Sequence, residues 1–509
     1  MPQIMGSGAA LFDFDGDGLL DAYLVNNGGP GSGARNRLFH NRGGGRFEDV
    51  SAGSRLDIEG HGMGVAVGDV DNDGRPDVYV SQYGGGRLFR NLGAGQFEDV
   101  TDRAGVGQPR WGTSAAFFDY DRDGWLDLVV VNYVDYDPSR PCGDASGRPD
   151  YCHPSQFAGT AARLFHNRGR GPDGRWRGFE DVTAPSGLAA LPGPGLGVTC
   201  ADFDGDSWPD IFVANDAQAN RLWVNQKDGT FRDEAVLRGV AFNGLGNAAA
   251  NMGVALADVD GDGLPDLFVT HLTEETHTLW KQGPRGLFHD RTAALGLAAP
   301  RWRGTGFGTV LADFDHDGSP DLAVVNGRVA RGPASSAPGL APFWERYAEC
   351  NQLFTGGPRG HFRDVSPSNP AFCGTPNVAR GLAWGDVDGD GAIDLLVTTV
   401  AGPARLFKNV APRHGHWLLV RALDPALKRD AYGARVSVEI ENKAHVGLVN
   451  PAQSYLCSGD PRVHFGLGTA DQVDRITVHW PDGLAETFPG GAVDRALVLR
   501  RGEGRRAQP

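Results

Sequence analysis

The residues best equipped for chemistry in this chain are aspartates, and they recur in one fixed pattern. Seven nine-residue loops carry Asp at positions 1, 3, 5 and 9. The first two are Asp13, Asp15, Asp17, Asp21 and Asp69, Asp71, Asp73, Asp77. The next two are Asp119, Asp121, Asp123, Asp127 and Asp202, Asp204, Asp206, Asp210. The last three are Asp258, Asp260, Asp262, Asp266, then Asp313, Asp315, Asp317, Asp321, then Asp386, Asp388, Asp390, Asp394. Position 6 is glycine in every copy but the fourth, where it is Ser207. Position 7 offers a backbone carbonyl, from Leu19, Arg75, Trp125, Trp208, Leu264, Ser319 and Ala392. Hard Ca²⁺ takes six to eight oxygens, and closely spaced carboxylates with one carbonyl supply them. A glycine at position 6 lets the chain turn sharply enough for those oxygens to converge. Up to seven structural calcium ions are therefore expected. A lone Asp-Gly hairpin forms without metal, but seven copies at one spacing point to ligands.

Stepping outward from each loop, position 12 is Leu24, Val80, Val130, Val213, Val269, Val324 or Val397. An EF-hand would place a bidentate Glu there, with helices on both sides. Here an apolar, β-branched run follows instead, as in Asp127-Leu-Val-Val-Val131, so each loop is read as a hairpin joining two strands. A third strand of the type Arg87-Leu-Phe-Arg-Asn91 and a fourth of the type Phe97-Glu-Asp-Val-Thr101 come next. Their aromatics are read as packing between repeats. Four strands per repeat make a propeller blade, and seven blades can close a ring. The expected fold is all-β: a seven-bladed calcium-binding propeller over residues 1–411, a small β-sandwich-like domain over 412–501, and a disordered tail at 502–509.

Composition agrees. The 75 glycines and 32 prolines suit short strands and tight turns. The formal charge of −15 argues against a nucleic-acid partner, and seven Ca²⁺ would bring the chain close to neutral. No apolar run approaches a membrane span. Residues 135–162 and 328–350 lengthen two repeats. Cys142 and Cys152 fall in the first insertion, while Cys350 and Cys373 bracket the third and fourth strands of repeat six. Both pairs are expected to be disulfides, zinc being the alternative, and Cys200 and Cys457 to be buried thiols. Disulfides and calcium modules place the chain outside the cell or in the periplasm.

The Asp loops resemble the FG-GAP/VCBS repeats of integrin-type propellers. The run from Asn215-Asp216 through Asn251-Met-Gly253 to Thr270-His-Leu-Thr-Glu-Glu275 resembles more narrowly the ASPIC/UnbV family. So do Tyr432-Gly-Ala-Arg435, Ser454-Tyr-Leu-Cys457, His464-Phe-Gly-Leu-Gly468 and Val478-His-Trp-Pro-Asp-Gly483. The resemblance implies an FG-GAP-type propeller with its family-specific tail. It also raises an enzymatic alternative, because some family members are encoded beside enediyne biosynthesis genes.

No nucleophile elbow, phosphate loop or zinc-protease helix is present. The best catalytic candidates are His271, Glu275 and His277, with Asp216 on a neighbouring repeat and Asp150-Tyr151-Cys152-His153 in the first insertion. Two histidines and carboxylates could do acid–base work or hold a transition metal; as plain polar loop residues they would simply anchor the chain. The leading expectation is a monomeric secreted scaffold that binds a protein, glycan or small-molecule ligand on its loop face. The alternative is an enzyme or accessory factor in secondary-metabolite biosynthesis. The seventh repeat lacks a Phe-containing fourth strand, so blade seven is expected to be three-stranded or weakly completed by Gln3–Met5. The native gene is accordingly expected to start upstream, with a signal peptide and a closing strand.

Overall fold

The computed structural model describes residues 1–143, 147–337 and 339–507. Seven antiparallel sheets follow one another along the chain. Blade 1 pairs Ala9–Phe12, Asp21–Leu24, Arg37–Asn41 and Phe47–Asp49 in sequence order. Blades 2 to 6 repeat that meander with four strands each. Blade 7 has three, Ala379–Gly385, Asp394–Thr399 and Arg405–Phe407. First strands of successive blades pack side by side around the ring, and that of blade 7 packs against that of blade 1. First and second strands are covered on both faces and read as near-continuous apolar runs, the pattern of strands buried between neighbouring blades. Third strands are less evenly covered: Arg37 and Arg87 at their starts are exposed, while Leu38, Leu88 and the closing Asn41 and Asn91 are buried. Fourth strands turn one aromatic inward, such as Phe97, Phe179, Phe231 and Phe288.

Two stacked sheets form the carboxy-terminal part. One joins Arg429–Asp430, His416–Asp424 and Val463–Gly468, with Arg495–Arg500 running parallel to His416–Asp424. The other orders Lys443–Leu448, Arg435–Ile440, Gln472–His479, Ala485–Ala492 and Arg505–Arg506. Alternate residues of both, including Leu418, Val420, Val436, Val438, Ile476, Val478 and Phe488, fill the space between them. Residues 502–507 differ from the expected disorder. Arg505 and Arg506 pair with Thr487 and Glu486, and Gly502 donates its N–H to the Glu486 carboxylate. Residues 508–509 lie outside the described residues.

Between the two sheets' strands, residues 450–460 leave the sandwich and run along the propeller axis. This segment bonds to every blade. Ser458 pairs with Ala9 and Leu11, the Val65 N–H donates to Leu456 O at 3.1 Å, and Leu456 N–H donates to Ser114 Oγ at 3.2 Å. Asn450 Nδ2 donates to Thr199 Oγ1 at 2.9 Å, and Val254 N–H to Ser454 O at 2.9 Å. Thr309 N–H donates to Ser454 Oγ, and Asp460 N–H to Trp384 O, each at 3.0 Å. The approach is close enough to require glycine: a Cβ on Gly8 would lie 2.1 Å from Leu456 O, and one on Gly381 2.8 Å from Cys457 Sγ.

The amino terminus enters from the other end. Pro2–Met5 form one helical turn that packs with Met63, Trp111, Phe307 and Tyr455 at the hub and does not pair with blade 7. Arg380, fully buried, donates through Nε to Ile4 O at 2.6 Å and lies over the Phe307 ring. The Tyr455 hydroxyl donates to Met5 O at 2.9 Å.

Candidate calcium centres and the opposite loop face

Each aspartate loop is a hairpin between the first and second strands of its blade, so all seven lie on one face of the ring. Position 1 shapes the loop. Its carboxylate accepts the backbone N–H of positions 5 and 6, as when Asp69 accepts from Asp73 and Gly74 at 3.1 and 2.7 Å. The same pair recurs at Asp13, Asp119, Asp202, Asp258, Asp313 and Asp386. Position 9 opens the second strand and is buried in every blade. Asp77 accepts the N–H of Val70 and of Asn91 at 2.9 and 2.7 Å, tying loop to third strand. Equivalent pairs occur at the other six, all between 2.7 and 3.1 Å.

Positive φ is needed at position 6, including Ser207 at 71°, and also at position 4, where Asn72, Arg122 and His316 adopt 52°, 63° and 64°. Only position 6 is marked in the sequence, by its recurring glycine. The varied residues at position 4 hid the second left-handed turn.

Position 5 accepts the position-7 N–H through one oxygen, which leaves its other oxygen and the position-3 carboxylate turned toward a ligand. Carboxylate oxygens of positions 1, 3 and 9 come within 4.8 Å of one another in the first three loops. Burial raises the position-9 carboxyls: Asp21, Asp266 and Asp394 to about 7, and Asp127 and Asp321 to about 8. Neighbouring aspartates raise them further. Buried like charges at this density need a counter-charge. One oxygen in each of Asp71, Asp260 and Asp388, all at position 3, is buried without a hydrogen-bond partner. An orphaned carboxylate oxygen facing two others is the donor set a hard cation takes, so the residues fit calcium.

A second feature of these loops comes from the third strand. The fourth residue of the Arg-Leu-Phe-x-Asn strand faces the loop of its own blade. His40 lies 3.3 Å from Asp15, Arg90 lies 2.7 Å from Asp71, and Lys281 lies 2.9 Å from Asp260. His166 contacts Asp121 and Asp127 at 3.3 Å each, and Lys408 pairs with Asp388. The Asp127 carboxylate beside it holds the His166 imidazolium up to about 9. The asparagine that follows stitches blades together. Nδ2 of Asn41, Asn91, Asn167, Asn225 and Asn409 donates to the position-2 carbonyl of the preceding blade at 2.7 or 2.8 Å.

The carboxy-terminal domain covers this face. Arg429 reaches Asn72 Oδ1 and Gly124 O, each at 3.0 Å. His414 N–H donates to Asp315 O at 2.7 Å, and His464 Nε2 meets Gly391 O at 3.0 Å.

The catalytic candidates lie on the opposite face. Asp216 and the His271–His277 loop do come together: Asp216 bridges to Ala250, whose N–H donates to Glu275 at 3.0 Å. His271 is fully buried, with Nδ1 3.3 Å from Ala250 O and Nε2 2.8 Å from Thr278 Oγ1. His277 Nδ1 accepts the His271 N–H at 2.9 Å. Burial pushes the two imidazoles down to about 3 and about 4. Glu275 also accepts from Leu272, and Asp216, raised to about 6 by burial, meets the Tyr133 hydroxyl at 2.5 Å. The two insertions meet here as well. Asp150 Oδ1 accepts from Tyr347 at 2.7 Å, and the Tyr151 and Tyr347 rings are in edge contact. His153 stays apart on the surface, bonded to Ser155.

Cys142 and Cys152 form a disulfide. Cys350 and Cys373 are free thiols, against expectation. Cys373 closes the short helix Pro370–Cys373 and is buried at the hydrophobic junction of blades 6 and 7, while Cys350 is half-buried beside Trp302 and Asn326. Cys200 and Cys457 are buried thiols. No helix is long and apolar enough to cross a membrane among the described residues.

Comparison with known proteins places these parts. The ASPIC and UnbV family pattern matches residues 424–506, and the FG-GAP-like repeat pattern matches 13–80, 69–130, 202–269 and 258–324. Cartilage acidic protein 1 of Homo sapiens is 28% identical over 343 residues, covering 63% of this chain and 46% of that protein. The Xenopus tropicalis protein of the same name is 30% identical over 318 residues, covering 60% and 44%. The chain thus spans less than half the length of these curated relatives. Among solved structures, rhamnogalacturonan lyase YesW aligns with a TM-score of 0.39 at 15% identity, covering 80% of this chain and 72% of that one. Similarity that loose carries no argument about activity. The chain carries an ASPIC and UnbV segment over residues 424–506, with FG-GAP-like repeats ahead of it.

Proposed function

We propose that this chain is a calcium-stiffened binding scaffold that works outside the cell or in the periplasm. The observation that carries the reading is a contrast between its two faces. On the hairpin face, position-3 oxygens of Asp71, Asp260 and Asp388 are buried and unpartnered. On the opposite face, both nitrogens of His271 have protein partners within 3.3 Å, and Glu275 caps two backbone N–H groups. Groups so engaged anchor loops. The position 1, 3, 5 and 9 carboxylates and the position-7 carbonyls would hold calcium, which supplies the charge that keeps each hairpin closed. The carboxy-terminal domain occupies the calcium face, so the insertion face is the surface left for a protein, glycan or small-molecule ligand. The Cys142–Cys152 disulfide supports an oxidising compartment.

Titrating metal-free protein with calcium tests the reading, with bound metal and melting temperature followed together. The scaffold gains support if seven ions bind and the chain melts higher. It fails in favour of an enzyme if a screened substrate is turned over and His271→Ala or Glu275→Gln abolishes turnover while the fold is kept.

A further inference from the structure

The seven loops share their carboxylates but not their basic neighbours. Loop 5 faces Lys281, with Nζ 2.9 Å from Asp260 and 2.6 Å from Asp262. Loop 7 faces Lys408, paired with Asp388 and 3.7 Å from Asp390, and Arg413 reaches Asp390 at 2.9 Å. Loop 2 faces Arg90, 2.7 Å from Asp71 and 3.3 Å from Asp73. In loop 4 the equivalent residue is Val224, but Lys227 and Arg238 reach Asp206 and Asp204 from elsewhere at 2.9 Å each. Among the described residues, the ion pairs to loop 6 come only from His414, exposed and 3.8 Å from Asp315, where Thr355 takes the strand-three position.

We infer that the strand-three lysines and arginine are resident counter-cations that set the calcium affinity of their own loops. Loops 2, 5 and 7 are then weaker sites whose carboxylates are partly held together when metal is absent, and loop 6 is a tighter site that depends on the ion more fully. This rests on the calcium reading above. The reason is charge count. Affinity of an oxygen-ligand calcium site follows its net ligand charge, and a fixed cation about 3 Å from two ligands cancels part of it. Arg stays charged in proteins and Lys is charged at pH 8, so they must be displaced for the ion to seat. When calcium leaves, the same ammonium or guanidinium returns and holds the position 3 and 5 carboxylates together.

The test is equilibrium calcium binding by the full chain at pH 8, with bound metal counted by elemental analysis. The wild type should fill in at least two classes. The Lys281→Met, Lys408→Met double variant should bind two of its ions about tenfold more tightly and melt lower than wild type in EGTA. Thr355→Lys should weaken one ion about tenfold, and Lys281→Arg should behave as wild type. Equal melting temperatures in saturating calcium establish that each variant is folded. Seven ions binding as one class, with all variants alike, would overturn the inference while leaving the calcium reading intact. No calcium bound by the wild type at all would overturn both.

Discussion

Within one loop, the aspartates at positions 1, 5 and 9 accept the backbone N–H groups that shape the hairpin, and only that shaping role requires the fold to be seen. The nine-residue pattern is local, so the ligand set was legible in the sequence. The left-handed residue at position 4 was not, because Gly, Asn, Arg and His all occupy it. Nor was the strand-three base, which meets its loop about twenty residues away through the sheet register. Two substitutions test the residue-level account. Ser207 holds φ at 71° where six loops use glycine, so Ser207→Gly should raise stability by roughly 0.5–1 kcal/mol, read from a denaturant melt. Asn91 links Phe14 O and Pro76 O across two blades at 2.8 and 3.1 Å. Asn91→Ala strands a buried carbonyl and should cost roughly 1–3 kcal/mol; an unchanged midpoint would contradict the stitch.

Strands and blades were legible because each repeat carries an apolar, β-branched run after a turn signal, and the insertions stood out by length. How the insertions are held was only partly legible. Asp150 meets Tyr347 across nearly two hundred residues, a contact no local pattern encodes. The cysteines show the same limit. Cys142 meets Cys152 ten residues away in one insertion, whereas Cys350 and Cys373, the latter buried at the end of the helical turn Pro370–Cys373, are free thiols. Peptide mapping without reduction should therefore recover one linked pair, with Cys200, Cys350, Cys373 and Cys457 alkylated after unfolding. Recovery of a Cys350–Cys373 peptide would contradict this packing. On the same face Asp216 titrates near 6 because burial disfavours its anion. A folded carboxyl raised above its unfolded value, about 4, favours the folded state at low pH, and that contribution is lost as pH rises toward 6. Asp216→Asn should remove this fall in stability between pH 4 and 6; an identical pH profile would count against a buried, proton-holding Asp216.

For the whole molecule, the axial segment changes how the ring is understood. A three-stranded seventh blade suggested a weak closure, yet residues 450–460 bond to all seven innermost strands from the centre. The sequence could not announce this, since the contacts span up to 450 residues and the Ser454-Tyr-Leu-Cys457 motif says nothing of where the segment runs. Propeller and sandwich should accordingly unfold in one transition. A chain ended after residue 411 should melt lower and aggregate, and replacing 451–459 with a Gly/Ser linker should do the same while leaving the sandwich intact; two separate transitions in the full chain would contradict it. The central claim is that calcium holds the seven hairpins. It is tested most directly by elemental analysis of protein equilibrated in about 1 mM free calcium, paired with melts in calcium and in EGTA. The account predicts seven calcium ions per chain and a melting temperature lowered by roughly ten degrees or more in EGTA. One ion or none per chain, with the same melting temperature in both buffers, would contradict it.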